Sequence, residues 1–230
     1  MSRLVELQEI AKTAYQGLQK RHPDIIQSGG CLLLGKQYAH PASKVLVLGI
    51  NPGGGPTTHF DVGPQSYNYL LDGPDKPRSP YWTNARKFFN ASPRLQASVR
   101  LATFSFCSPF RTPAWSSLPA VVKSSVANAS QAILLKIVRD CRPRLIIITG
   151  VDGFRLFTEI MGATLGVNRV ISKGGEAGAH QWAAYDATVG DDRIVIAQVP
   201  HFSRAGVTAK LHECAEWLEG LEEARGSAPN

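Results

Sequence analysis

Four short apolar stretches recur along the chain with helical patterns between them, and this alternation limits the possible folds more than any other feature. The stretches are VLVLGI (45–50), RLATFSFCS (100–108), RLIIITG (144–150) and RIVIAQVP (193–200). Runs of this length that are apolar on both alternating sets read as strands buried on both faces. TNARKFFN and its surroundings read as a short helix, and SSLPAVVKSSVANASQAILLKIVRDC as a long one. DGFRLFTEIMG supplies another, with Asp152 as the expected cap. After the last strand, Leu211, Cys214, Ala215, Leu218 and Leu221 fall at helix-core spacing. Strands alternating with helices imply parallel pairing with helices on both sides. The expectation is an α/β fold: a single domain over residues 1–225 around a central, mainly parallel four-stranded sheet flanked by helices, with 226–230 a disordered tail.

Two segments depart from the alternation. VNRVISKGGEAGAHQWAAYDATVGDD reads as a glycine-rich turn with an extra short strand or hairpin around residues 180–188. GGGPTTHFDVGPQSYNYLLDGPDKPRSP reads as a long loop with little regular structure, and long ordered loops are often functional. The first 24 residues read as an amphipathic helix with Leu4, Leu7, Ile10, Ala11 and Leu18 near helical spacing. They are charged throughout and lack the apolar centre of a signal peptide. No apolar run approaches the roughly 20 residues that a membrane helix needs. The expected location is therefore the cytoplasm (the nucleoid, if the source is bacterial), with no membrane partner, and nothing calls for more than a monomer.

Charge points to the partner. The net charge is +7 and the pI about 9.4, which suits an anionic ligand. Between Lys76 and Arg139 there is no Asp or Glu, yet Lys76, Arg78, Arg86, Lys87, Arg94, Arg100, Arg111, Lys123, Lys136 and Arg139 all fall there. Acids collect elsewhere, notably in LHECAEWLEGLEEAR. Such a run can be a solvated, scattered set of bases, but without balancing acids it favours a basic face and nucleic acid as partner. Cys31, Cys107, Cys141 and Cys214 lie far apart with no CxxC spacing, so they read as buried small hydrophobes. No metal and no cofactor are expected.

Sites in parallel sheets sit at the carboxyl edge of the strands. Three loops meet there: GINPGGG after the first strand, FCSPFRTP after the second and PHFSRAG after the fourth. GINPGGG lacks the Lys-Ser/Thr of a P-loop and the spacing of GxGxxG, so a kinase or dehydrogenase finds no support. HFSRAG is not GxSxG, which removes the nucleophile elbow of an α/β-hydrolase. Taken alone, Asn51 before a proline starts a turn, and His201 alone is a structural histidine.

The pairing of GINPG at the first strand end with PHFSR at the last resembles the uracil-DNA glycosylase superfamily, nearest its GxNPG-type mismatch-specific and single-strand-selective branches. Gly49, Asn51, Pro52 and Gly53 match the first motif. His201 and Ser203 match the second, with Phe202 and Arg204 standing where prolines are usual. The resemblance covers most of residues 40–220. It implies a three-layer glycosylase-like sandwich and a monofunctional, cofactor-free DNA glycosylase that hydrolyses the N-glycosidic bond of a flipped-out base.

By that resemblance Asn51 holds the attacking water and His201 hydrogen-bonds the departing base. Gly49, Ile50, Pro52, Gly53, Phe60 and Phe106 form the expected base site, and Ser203, Arg204, Gly54, Gly55 and Arg111 the expected DNA contacts. Such a site must stabilise a cation-like sugar and an anionic base, and must take the base out of its stack. Uracil-selective members carry an Asn near the end of the second strand, where Phe106 stands here. A phenyl ring cannot make those hydrogen bonds. Either Ser105, Ser108 or a backbone group reads the base, or the target is a different deaminated, damaged or hypermodified base in a wide apolar pocket walled by Phe104, Phe106 and Phe110. Two other functions fit the residues: a lesion-binding protein that kept the fold and lost the chemistry, and a hydrolase of free nucleosides or nucleotides.

Overall fold

The computed structural model describes residues 3–26, 30–35, 44–52, 60–65, 80–100, 102–162, 169–174, 181–189, 192–203 and 208–226. In chain order they form α1 (Arg3–Arg21), β1 (Gly30–Gly35), β2 (Val45–Gly49), β3 (Phe60–Gln65), α2 (Pro80–Phe89), α3 (Pro93–Arg100) and β4 (Thr103–Phe106). There follow α4 (Ala120–Cys141), β5 (Leu145–Thr149), α5 (Val151–Met161), β6 (Arg169–Gly174), β7 (Trp182–Val189), β8 (Asp192–Val199) and α6 (Thr208–Gly226).

The main sheet has the order β4-β2-β5-β8-β7-β6. Its first four strands pair in parallel, and β7 and β6 add antiparallel ladders beyond β8. The sheet is therefore mixed and six-stranded, not four-stranded as the apolar runs suggest. The expected strand or hairpin around 180–188 supplies β7, which pairs antiparallel with β8 from Ala183 opposite Gln198 to Val189 opposite Asp192. β7 (WAAYDATV) answers to that expected strand, whereas β6 (RVISKG) lies in the stretch that reads as a glycine-rich turn and is not a continuous apolar run. A second correction concerns the Gly- and Pro-rich loop, which contains β3, paired in parallel with β1 in a separate two-stranded sheet.

Alternation along the strands builds two cores. Leu46, Leu48, Ile146, Ile148, Ile194 and Ile196 face α1, α4 and α5. Val45, Val47, Phe104, Phe106, Leu145, Ile147, Val195 and Ala197 face α2, α3 and α6. With helices on both faces, β2, β4, β5 and β8 from Ile194 onward are buried, which explains their mainly apolar runs. Phe110 lies in the α1-side core and stacks on Tyr15 at 6.3 Å, so it is not in one wall with Phe104 and Phe106.

Helix α4 is long and apolar enough, by length and composition, to cross a membrane, against the sequence expectation of no such run. Its apolar stripe, with Val126, Ile133, Leu134, Ile137 and Val138, is buried in the α1-side core. The helix stops at Arg142, which takes a left-handed φ of 44° before Pro143. The basic run is also split: Arg86, Lys87, Arg94 and Arg100 lie on α2 and α3, whereas Lys123, Lys136 and Arg139 lie on α4 across the sheet. Lys136 is paired with Glu6 and Asp140, each at 3.0 Å.

Candidate functional site

Among the parallel strands of the main sheet, β2 is the first in sequence and has β4 on one side and β5 on the other. The chain thus reverses its direction of travel across the sheet between β2 and β5, and at such a switch point the loops diverge and leave a crevice. Asn51 leaves β2 on one side of it. Gly150 follows β5 between them, and His201 leaves β8 on the far side. Leu48, Ile148 and Gln198 form one registered row across the three strands, so Asn51 and His201 each lie three residues beyond it. Two strand spacings place their backbones about 10 Å apart.

Gly150 is required where it stands. Its φ is +83° and its ψ 152°, a region open essentially only to glycine. A Cβ there would come within 3.0 Å of Cβ and Cδ2 of His201. The missing side chain lets the imidazole lie down against the start of α5. Gly150 is also the N-cap of that helix and offers no side-chain cap; Asp152, the expected cap, sits in the first turn, 3.9 Å from Arg155.

His201 is held from three sides. The backbone N–H of Ser203 donates to Nδ1 at 3.3 Å, and Ser203 Oγ lies 2.7 Å from the same nitrogen. A backbone N–H can only donate, so Nδ1 is the unprotonated nitrogen and Nε2 carries the proton. The Tyr81 ring meets the imidazole edge-on at 5.5 Å. Tyr81 is anchored in turn by a 3.1 Å hydrogen bond between its hydroxyl and Thr149 Oγ1, and burial pushes its phenol well above the ordinary value. The turn itself is pinned by Phe202, which is fully buried among Tyr81, Phe88 and Phe89. Asn84 Nδ2 donates to the Phe202 carbonyl at 2.6 Å. Where the resembled motif has a stiff proline, this chain uses a buried aromatic anchor.

On the other side of the crevice, Asn51 Nδ2 donates to Thr112 Oγ1 at 3.0 Å, and Thr112 Oγ1 donates to the Pro113 carbonyl at 3.0 Å. Cys107 N–H donates to the Gly49 carbonyl at 2.8 Å and Ser108 N–H to that of Ile50 at 2.9 Å, so the β4 loop is strapped to the β2 loop. Gly49 admits the Phe106 ring: a Cβ would lie 3.0 Å from it and 3.4 Å from the Tyr81 hydroxyl. Phe106, on the α2 side, and Pro52 are buried, while Ile50 packs its side chain against the α1-side core near Gly153.

The structure thus brings Asn51, His201, Gly49 and Phe106 to one sheet edge. Ser203 is there too, but its hydroxyl holds His201. Arg111 is half-buried beside Thr112. Gly53, Gly54, Gly55 and Arg204 lie outside the described residues, as does the side chain of Phe60, which opens β3. Sequence reasoning passed over Thr112, Tyr81, Asn84 and Thr149. Thr112 lay in a loop already placed at the carboxyl edge, so its polar side chain was a usable signal. Tyr81 and Asn84 carried none, because the 120 or so residues separating them from His201 hide the contact. Among the described residues no group of three or more His, Cys, Asp or Glu could hold a metal. No family model matches the chain, and no curated protein matches it.

Proposed function

We propose that the protein is a monofunctional DNA glycosylase of the uracil-DNA glycosylase type, with Asn51 and His201 as its catalytic pair. The observation that carries this reading is His201 at the same carboxyl edge of the sheet as Asn51, with its Nδ1 accepting from the Ser203 backbone N–H so that the ring proton sits on Nε2. The resemblance of GINPG and HFSR to the superfamily motifs supports the same assignment.

The chemistry then divides between the walls. The bond between sugar C1′ and the base nitrogen breaks, and its electron pair leaves with the base. His201 Nε2–H donates to a base carbonyl oxygen and stabilises that charge. A neutral donor fixed in place does this without reorganising. Water held by Asn51 adds its oxygen to C1′, and its proton ends on the base or in solvent. An amide is a weak base, which suffices when the leaving group departs first. The apolar Phe106 beside Gly49 favours a target other than ordinary uracil, chosen by fit more than by polar readout.

The test is an incision assay on labelled single and double strands carrying uracil, hypoxanthine, xanthine, a thymine mismatch or bulky modified pyrimidines, with hot alkali to open abasic sites. Wild type is expected to cut at least one member, and Asn51→Ala to lower that rate about 100-fold or more. The departures at Phe202 and Arg204 from the second motif favour one other reading, a lesion-binding protein without turnover. Tight binding of one oligonucleotide with no cutting would select it, and neither binding nor cutting would refute both.

A further inference from the structure

We infer that Thr112 is a positioning residue that decides which end of the Asn51 amide faces the reacting water. The inference rests on the glycosylase reading and adds a residue to it. The two ends of an asparagine amide are nearly the same shape but opposite in chemistry. The carbonyl end accepts a hydrogen bond from water and leaves a water lone pair free to attack C1′. The NH2 end would engage that lone pair and turn the nucleophile away. Either orientation fills the same space, so packing alone does not choose between them.

Hydrogen-bond bookkeeping around Thr112 does choose. Its hydroxyl has a single proton, and that proton goes to the Pro113 carbonyl at 3.0 Å. Toward Asn51, 3.0 Å away, Oγ1 is therefore left only with lone pairs. It can accept from Nδ2 but has nothing to offer Oδ1. A flipped amide would set two acceptors against each other or strip the Pro113 carbonyl of its donor. Thr112 is nearly buried, so water does not readily substitute for either bond. Oδ1 consequently points away from Thr112, and among the described residues no partner occupies it. The loop is already strapped to β2 by the Cys107 and Ser108 amides, so the hydroxyl is held at a set place relative to Asn51.

The experiment uses Thr112→Val, which keeps the shape and removes the hydroxyl, and Thr112→Ser, which restores the hydroxyl. Single-turnover cleavage is measured on the panel oligonucleotide that wild type cuts fastest. Thr112→Val should slow the step about 3- to 10-fold, the range set by one neutral hydrogen bond, with the Kd for the oligonucleotide unchanged. Thr112→Ser should recover most of the rate, and Thr112→Val should cause no further loss in an Asn51→Ala background. In parallel, the Asn51 side-chain NH2 resonances, assigned by their loss in Asn51→Ala, should show slowed exchange of one proton in wild type and not in Thr112→Val. An unchanged rate in Thr112→Val, or an equal loss with Asn51 already removed, overturns the inference and leaves the glycosylase reading standing. Absence of cutting by wild type with the resonance pattern intact refutes the glycosylase reading and, with it, any catalytic role for the latch.

Discussion

Replacing Gly150 with alanine adds one methyl group where two constraints meet. The first is backbone strain: φ +83° with ψ 152° is costly for any residue with a Cβ, on the order of 1–3 kcal/mol. Relaxation is blocked because Gly150 N–H donates to Val199 at 2.8 Å and its carbonyl accepts from Phe154 at 3.1 Å. The second is contact: the new methyl would sit 3.0 Å from Cβ and Cδ2 of His201, so the imidazole must move by a few tenths of an ångström. Strain dominates the stability effect and displacement dominates the functional one. At about 2–4 °C per kcal/mol for a chain of this size, the melting temperature should fall roughly 2–12 °C. A shift of 1 Å can cost 100-fold, so a few tenths should slow single-turnover cleavage about 3- to 10-fold. Calorimetry and the incision assay read the two effects separately. A Gly150→Ala protein with unchanged melting temperature and rate would refute both the backbone assignment and the seating of His201 against it.

Further outcomes follow from the same geometry. Phe202→Ala should cost about 3–5 kcal/mol in urea unfolding, because it empties a fully buried aromatic site and frees the turn carrying His201. Gly17→Ala, in α1 with open space around the added methyl, should stabilise by about 0.5–1 kcal/mol in the same assay. Burial holds the Cys107 and Cys214 thiols and the Tyr81 phenol above their ordinary values, 9.0 for the thiols and 10.0 for the phenol. The folded chain therefore keeps protons that the unfolded chain releases. That contribution is complete below the ordinary thiol value and is lost as pH rises past it, so the urea midpoint should stay level to pH about 8.5 and fall between about 9 and 11.

Much of the frame was legible because the physics behind it is local. A strand covered on both faces is mostly apolar on both, so β2, β4, β5 and the buried part of β8 announced themselves as predominantly apolar runs. The α4 and α6 patterns followed from helical spacing in the same way. β6 was harder to see, since an antiparallel edge strand mixes polar with apolar residues, and β3 was hidden by the Gly63 and Pro64 within it. The run of bases read as one face because sequence distance says nothing about which side of the sheet a helix takes.

The same division holds at the crevice. The identities of Asn51, His201, Gly49 and Phe106, and their place at strand ends, came from the chain alone: the apolar runs end where the loops begin. Their working state came only from tertiary contact. The tautomer of His201 depends on a turn held by Phe202 and Asn84, residues 118 positions apart. The orientation of the Asn51 amide depends on Thr112, which is 61 positions away. Whether a ring can lie against Gly150 depends on the register of β5 with β8. Sequence spacing encodes which side chains leave the sheet at its carboxyl edge. Strand order and packing decide which of them meet, because hydrogen bonds act over about 3 Å of space whatever the length of chain between their partners.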